Sequence, residues 1–199
     1  TSLTSNALVS TTALSVANSS SFNVGDLVFI IQMQGASVNA YNGSTTPPWY
    51  DPNSALPADT SFGRITNYNN CGNYEFAQVK TVISGTQIEL ECGLKYDYSS
   101  AGKTQVVRVP RYNALTVNSG GVLTSDAWNG TIGGVLAIEV DGNTTINGFV
   151  SANGLGFRGG ATIASGGNNF VPLSVAAPAN KPASVIAAVP VPAGKDATC

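Results

Sequence analysis

Residues 133–160 read GGVLAIEVDGNTTINGFVSANGLGFRGG, and this stretch decides the fold class. Short apolar runs at 135–140, 144–146 and 148–152 alternate with Asp-Gly, Asn-Gly and Gly-Gly corners. None is long enough, or periodic enough at 3.6 residues, to be a helix. Strands this short with Gly or Asn at every corner suit a coiled β-solenoid whose rungs stack on one another. The same pattern starts just after Tyr112, with runs at 114–117 and 121–124. A short parallel β-solenoid is therefore predicted over 113–167.

The chain before it is also β-patterned, but differently. Residues 12–17 alternate, and 27–33 (LVFIIQM) are apolar without a break, which predicts a central strand buried on both faces. Residues 73–94 read as a hairpin, with Ile88, Leu90 and Cys92 on one side and Gln87, Glu89 and Glu91 on the other. In its first strand Tyr74 and Phe76 fall in one phase, and Val79, Thr81 and Ile83 in the other. That switch predicts a β-bulge around Ala77-Gln78. Residues 104–109 make a further strand, closed by Pro110. The whole chain is read as all-β, with a small twisted β-barrel or sandwich at 1–112. A Pro-rich loop interrupts it at 36–63, and an extended Pro/Ala-rich tail or inter-subunit strand follows at 168–199.

Composition narrows the function. Charged residues are only 10% of the chain while hydrophobic ones are 43%, so solubility rests on hydroxyls and amides, as in extracellular β-proteins. The net charge of −2 offers no basic surface for phosphates, which argues against nucleic acid. No apolar run reaches the ~20 residues of a membrane helix. The sequence opens at Thr1 without an export signal, and reads as a processed protein or a fragment.

Histidine is absent, which removes Ser-His-Asp and Cys-His catalysis and the commonest zinc ligand. Gly154, Gly156 and Gly159 spell G-x-G-x-x-G, but no helix length follows, so a glycine corner is the better reading. The carboxylate pairs Glu89/Glu91 and Glu139/Asp141 read as a solvated strand face and a turn rather than as acids set across a glycosidic bond. The chain is read as a non-enzyme without a cofactor. Calcium remains possible at the corner oxygens of Asp126, Asp141, Asn143 and Asn147, which equally suit plain turns. Tyr41, Trp49 and Tyr50 are the candidate ligand-binding residues, as aromatics on a rigid loop, with a loop-ordering plug as the alternative. Of three cysteines, Cys71 and Cys92 flank one hairpin and are the candidate disulfide. The register is uneasy, since Cys92 falls near Gln78.

Several strings then resemble a region of large secreted surface proteins of Bacteroidota. They are VGDLVFIIQMQG at 24–35, NYNN at 67–70, GNYEF at 72–76, VRVP at 107–110, WNGT at 128–131 and GLGFRGG at 154–160. The resemblance runs in order over roughly residues 10–162. It implies an adhesin or gliding-type protein, exported by the type IX pathway and held outside the cell, and it carries over no catalytic residue.

The function expected from all this is a secreted cell-surface structural protein, an adhesin module or a fibre subunit assembled through strand contacts. Its partners would be further copies of itself or other surface proteins. The candidate assembly residues are Leu3, Leu8 and Val9 within 1–9, and Val185, Ile186 and Val189 within 183–191. The alternatives are a carbohydrate-binding module using loop 41–50, with a polysaccharide as partner, and a solenoid polysaccharide-active enzyme.

Overall fold

The longest uninterrupted apolar run becomes the centre of the fold. A computed structural model describes residues 1–38 and 65–157, and among these every regular element is a strand. The first seven are β1 (Ala13–Ser15), β2 (Leu27–Gln32), β3 (Ser37–Val38), β4 (Ile65–Asn67), β5 (Tyr74–Ser84), β6 (Gln87–Leu90) and β7 (Thr104–Val109). Five of them form an antiparallel sheet in the order β1-β6-β5-β2-β7, and β3 pairs with β4 apart from it. Strand β2 lies between β5 and β7, so both its edges are paired. Val28 and Ile30 enter one core, while Phe29 enters a second on the opposite face.

The two edges of this sheet are joined by residues 1–4. On the β7 side, Leu3 N donates to Thr104 O and Val106 N to Thr1 O, both at 2.9 Å. On the β1 side, Thr4 N donates to Ser15 O and Ala17 N to Ser2 O, again at 2.9 Å. The sheet is thereby closed into a small barrel, which leaves no open edge. Its interior holds Leu3, Leu14, Val28, Val79, Leu90 and Val106 among others.

This closure corrects the expectation for the N-terminal segment. Leu3 is 4% exposed and belongs to the barrel core, so it is not free to reach a neighbour. Leu8 and Val9 are exposed, but Ala7 pairs with Tyr98 just before them and Val9 N donates to Asp97 Oδ1 at 2.7 Å. Val185, Ile186 and Val189 lie outside the described residues.

Two further expectations are corrected on the hairpin. The register of β5 against β6 shifts between Val79 and Thr81 and again between Val82 and Ser84, beyond the predicted Ala77-Gln78. Alternation is unbroken through the first half of β5, where Glu75, Ala77 and Val79 face inward. The Cys71–Cys92 disulfide is absent. Cys71 is a free thiol on the turn before β5, its Sγ directed at Met33 O at 3.5 Å. Glu91 N bonds Gln78 O, so Cys92 lies about six residues up the strand from Cys71, roughly 20 Å at strand rise. A disulfide tolerates a Cα separation of only about 7 Å.

After Pro110 the pairing becomes parallel. Strands β8 (Arg111–Tyr112), β9 (Leu115–Val117) and β10 (Val122–Leu123) are followed by β11 (Glu139–Val140), β12 (Thr144–Ile146) and β13 (Phe149–Val150). β11 lies on β8, β12 on β9 and β13 on β10, at steps of 28, 29 and 27 residues. Parallel pairing therefore begins at Arg111, and the chain has wound one full turn onto itself. Gly142 and Gly148 stand at the corners of the second turn. A Cβ on Gly142 would strike Asn113 O, and one on Gly148 would strike the carbonyls of Asn118 and Gly121. The corner glycines are thus set by close approach of backbones. Of the predicted solenoid at 113–167, residues 158–167 lie outside the described residues, as does the predicted tail at 168–199.

Candidate functional site

The outer face of the barrel carries apolar side chains, and part of it is roofed. Gln105, buried on β7, holds the roof in place: its Oε1 accepts from Gly133 N at 2.7 Å and its Nε2 donates to Gly133 O at 3.1 Å. That clamp lays the following residues over β2 and β7, where Val135 and Ala137 pack on Leu27, Phe29, Ile31, Val107 and Val109. Each partner in the clamp has its hydrogen bond, as a buried amide requires.

The roof stops short of β5. Tyr74 and Phe76 point outward there because Glu75 and Ala77 point in, and they stay 53% and 42% exposed. Phe29, fully buried on the neighbouring strand, backs both rings, with centroids 5.6 Å from Tyr74 and 4.9 Å from Phe76. The two rings follow each other at the two-residue repeat of a strand, about 7 Å. Next on the same face come Gln78, then Lys80 in an ion pair with Glu89 at 3.1 Å. The result is an aromatic pair on a rigid strand with an amide, an ammonium and a carboxylate beside it.

Inversion of the β5 phase has a specific cause. Glu75 is buried, and its carboxylate accepts from Lys95 N at 3.1 Å and Tyr96 N at 3.4 Å. Backbone donors replace the water that a buried carboxylate loses. Tyr98 lies buried beside it, its hydroxyl without a hydrogen-bond partner. Burial first, and the Glu75 charge second, push the Tyr98 phenol well above its ordinary pKa.

Two further ion pairs lie elsewhere among the described residues. Arg111 binds Glu139 across the β8–β11 step, and Arg108 Nε meets Asp26 Oδ2 at 2.8 Å. Burial pushes the Asp26 carboxyl up, but the Arg108 hydrogen bond and the Asn23 N–H outweigh it and hold the group below its usual range. Apart from this face, an open concavity of about 650 Å³ is lined by Asn18, Ser20, Ser21, Asn129 and Thr131 together with Ala17 and Ile132. Its lining contains no carboxylate or side-chain base.

The candidate ligand residues Tyr41, Trp49 and Tyr50 lie outside the described residues, so the structure neither gathers nor separates them. Tyr74 and Phe76 were missed as a site because their size suggested a place in the core. The available signal was parity: Glu75, Ala77 and Val79 share one phase without a bulge, which sends both aromatics out. Among the described residues no group of three or more His, Cys, Asp or Glu could hold a metal ion, and no helix is long and apolar enough to cross a membrane. At the corners, Asn143 O accepts from Leu115 N and Asp126 O from Gly134 N.

No protein-family model matches this chain, and no curated protein does. Solved structures similar to it include three phage tailspikes. One is the gp54 tailspike of Acinetobacter baumannii bacteriophage AP22, in complex with A. baumannii capsular saccharide, at 14% identity and a TM-score of 0.35. The others are the Pseudomonas phage phi297 tailspike gp61, at 11% and 0.32, and the gp49 tailspike of Pseudomonas phage LKA1, at 13% and 0.34. They are matched over 75%, 76% and 75% of this chain but over only 22%, 19% and 22% of their own, so it spans about a fifth of each.

Proposed function

We propose that this chain is an extracellular saccharide-binding module, and that the outer face of β5 is its contact surface. The observation that carries the reading is the exposed pair Tyr74 and Phe76, held rigid by Phe29. One face of a sugar ring presents C–H groups of slight positive charge, which match the negative face of an aromatic ring. Rings fixed on a strand lose little freedom when a ligand stacks on them. Gln78, Lys80 and Glu89 supply donors and acceptors for the hydroxyls at the rim. The low charge of the chain and its resemblance to secreted surface proteins support a place outside the cell, either as an adhesin module or within a larger surface protein.

The test is calorimetric titration against a panel of cellulose, xylan and uronic-acid oligosaccharides, with analysis of the reaction mixture for cleavage. Binding by the native chain and a loss of at least about tenfold in a Tyr74→Ala, Phe76→Ala double variant are expected. No binding to any member of the panel, or binding that the double variant keeps in full, refutes the reading. Release of shortened oligosaccharides would show that the face serves an enzyme.

A further inference from the structure

The hydroxyl-lined concavity lies between two loops that the barrel holds in place. One loop follows β1. Ser19, 1% exposed, anchors it: its N donates to Gly85 O at 2.9 Å and its Oγ to Ser84 O. Ala17 N donates to Ser2 O, so the same loop is tied to the seam. The other loop follows Trp128, where Asn129 N donates to Ile132 O at 3.0 Å. Gln105 serves both sides. Its backbone bridges to Ser2, and its side chain grips Gly133 next to Ile132. Both walls are therefore fixed before any ligand arrives.

The side chains on these walls carry no charge. Asn18 Oδ1 accepts from Ser20 N at 2.8 Å, and Asn129 Oδ1 accepts from Thr131 N at 2.9 Å and Ile132 N at 3.0 Å. Only an oxygen can accept those bonds, which sets the orientation of each amide and leaves both Nδ2 groups as donors. Among the described residues neither Nδ2 has a partner, and nor do the hydroxyls of Ser20, Ser21 and Thr131. Ala17 and the half-buried Ile132 add apolar surface to the same lining.

We propose that this concavity is a second ligand site, and that it takes a neutral sugar residue. At about 650 Å³ it falls within the roughly 300–1,000 Å³ of small-molecule sites. The ring hydroxyls of a pyranose replace water on the hydroxyls and amides bond for bond, while its C–H groups cover Ala17 and Ile132. A carboxylate or phosphate finds no basic side chain here to offset its lost water, so acidic sugars are selected against. None of the lining residues belongs to β5 or β6, so the site is separate from the aromatic face and stands whether or not that face binds.

NMR titration of the isotope-labelled full chain with glucose, galactose, mannose, N-acetylglucosamine and glucuronic acid tests this. A neutral sugar is expected to move the Asn18, Ser20, Thr131 and Ile132 amides saturably, with a Kd on the order of millimolar. Ser20→Ala, Ser21→Ala and Thr131→Val together remove three hydroxyls that hold nothing in the fold. That variant should keep the Val28 and Ile30 shifts of the barrel core and raise the Kd by at least about tenfold. The Tyr74→Ala, Phe76→Ala variant should bind at this site as the native chain does, so the two sites fail separately. No saturable shift with any sugar, or shifts confined to β5, would overturn the proposal. So would glucuronic acid binding as tightly as the best neutral sugar, or an affinity that the triple variant keeps.

Discussion

Replacing Leu3 by Ala should weaken the barrel at its seam. The side chain is 4% exposed and packs in the interior core, so the variant removes three buried carbons. At about 0.8 kcal/mol for each buried carbon the transfer loss is ~2.4 kcal/mol. A cavity term raises the total to about 3 kcal/mol, within the range of roughly 2–5 for buried Leu→Ala. The backbone bonds of residues 1–4 to Ser15, Ala17, Thr104 and Val106 survive the substitution, so closure is weakened and not abolished. Urea unfolding followed by circular dichroism and Trp128 fluorescence is the assay. With a slope of about 2 kcal/mol/M the midpoint should fall by ~1.5 M. Leu8→Ala is the control: that residue is 61% exposed, and its variant should stay within about 0.5 kcal/mol of the native chain. A Leu3→Ala midpoint equal to that of Leu8→Ala, with loss of self-association instead, would refute the closure argument and restore residues 1–9 as an assembly strand.

Gly148→Ala forces a Cβ against the Asn118 and Gly121 carbonyls, and should cost about 1–3 kcal/mol, read as faster amide exchange at Phe149 and Ser151. Asp26 has a lowered folded-state pKa, so its contribution is present above the unfolded value of about 3.9 and is lost as pH falls through the folded one. Asp26→Asn should therefore flatten the acid limb of a stability profile between about pH 5 and 2, and an unchanged limb would count against the Arg108 pairing. Tyr98 is raised, so its contribution is complete below the unfolded value of about 10 and is lost as pH climbs beyond it. Tyr98→Phe should lessen alkaline unfolding above that pH, read as loss of circular dichroism on titration with base, and an unchanged alkaline limb would count against the burial of the phenol.

What could be read from the sequence was whatever burial imposes on a continuous run. β2 declares itself in LVFIIQ, β7 stops where Pro110 follows, and the β5–β6 hairpin turns at Ser84-Gly85-Thr86 as its alternation requires. The short parallel strands were legible through their corners, because only Gly fits where Gly142 and Gly148 meet the turn below. The closing strand was not legible, since Leu3 is a lone apolar residue among Thr and Ser and its β7 partners lie a hundred residues away. The site was obscured by a local rule that tertiary structure overrode. Aromatics outrank a carboxylate for the core by transfer energy, yet the Lys95 and Tyr96 amides make Glu75 the buried residue. Those amides are long-range partners, and within residues 74–79 the parity of Glu75, Ala77 and Val79 is the one local trace of the outcome.

Closure by residues 1–4 also sets an order in time. During synthesis these residues emerge about a hundred residues before their partners Thr104 and Val106. Loop entropy must be lost before that contact returns anything, which places barrel completion late and makes it slow. Until then β1 and β7 remain unpaired edges. The seam thus delays folding until most of the barrel has arrived.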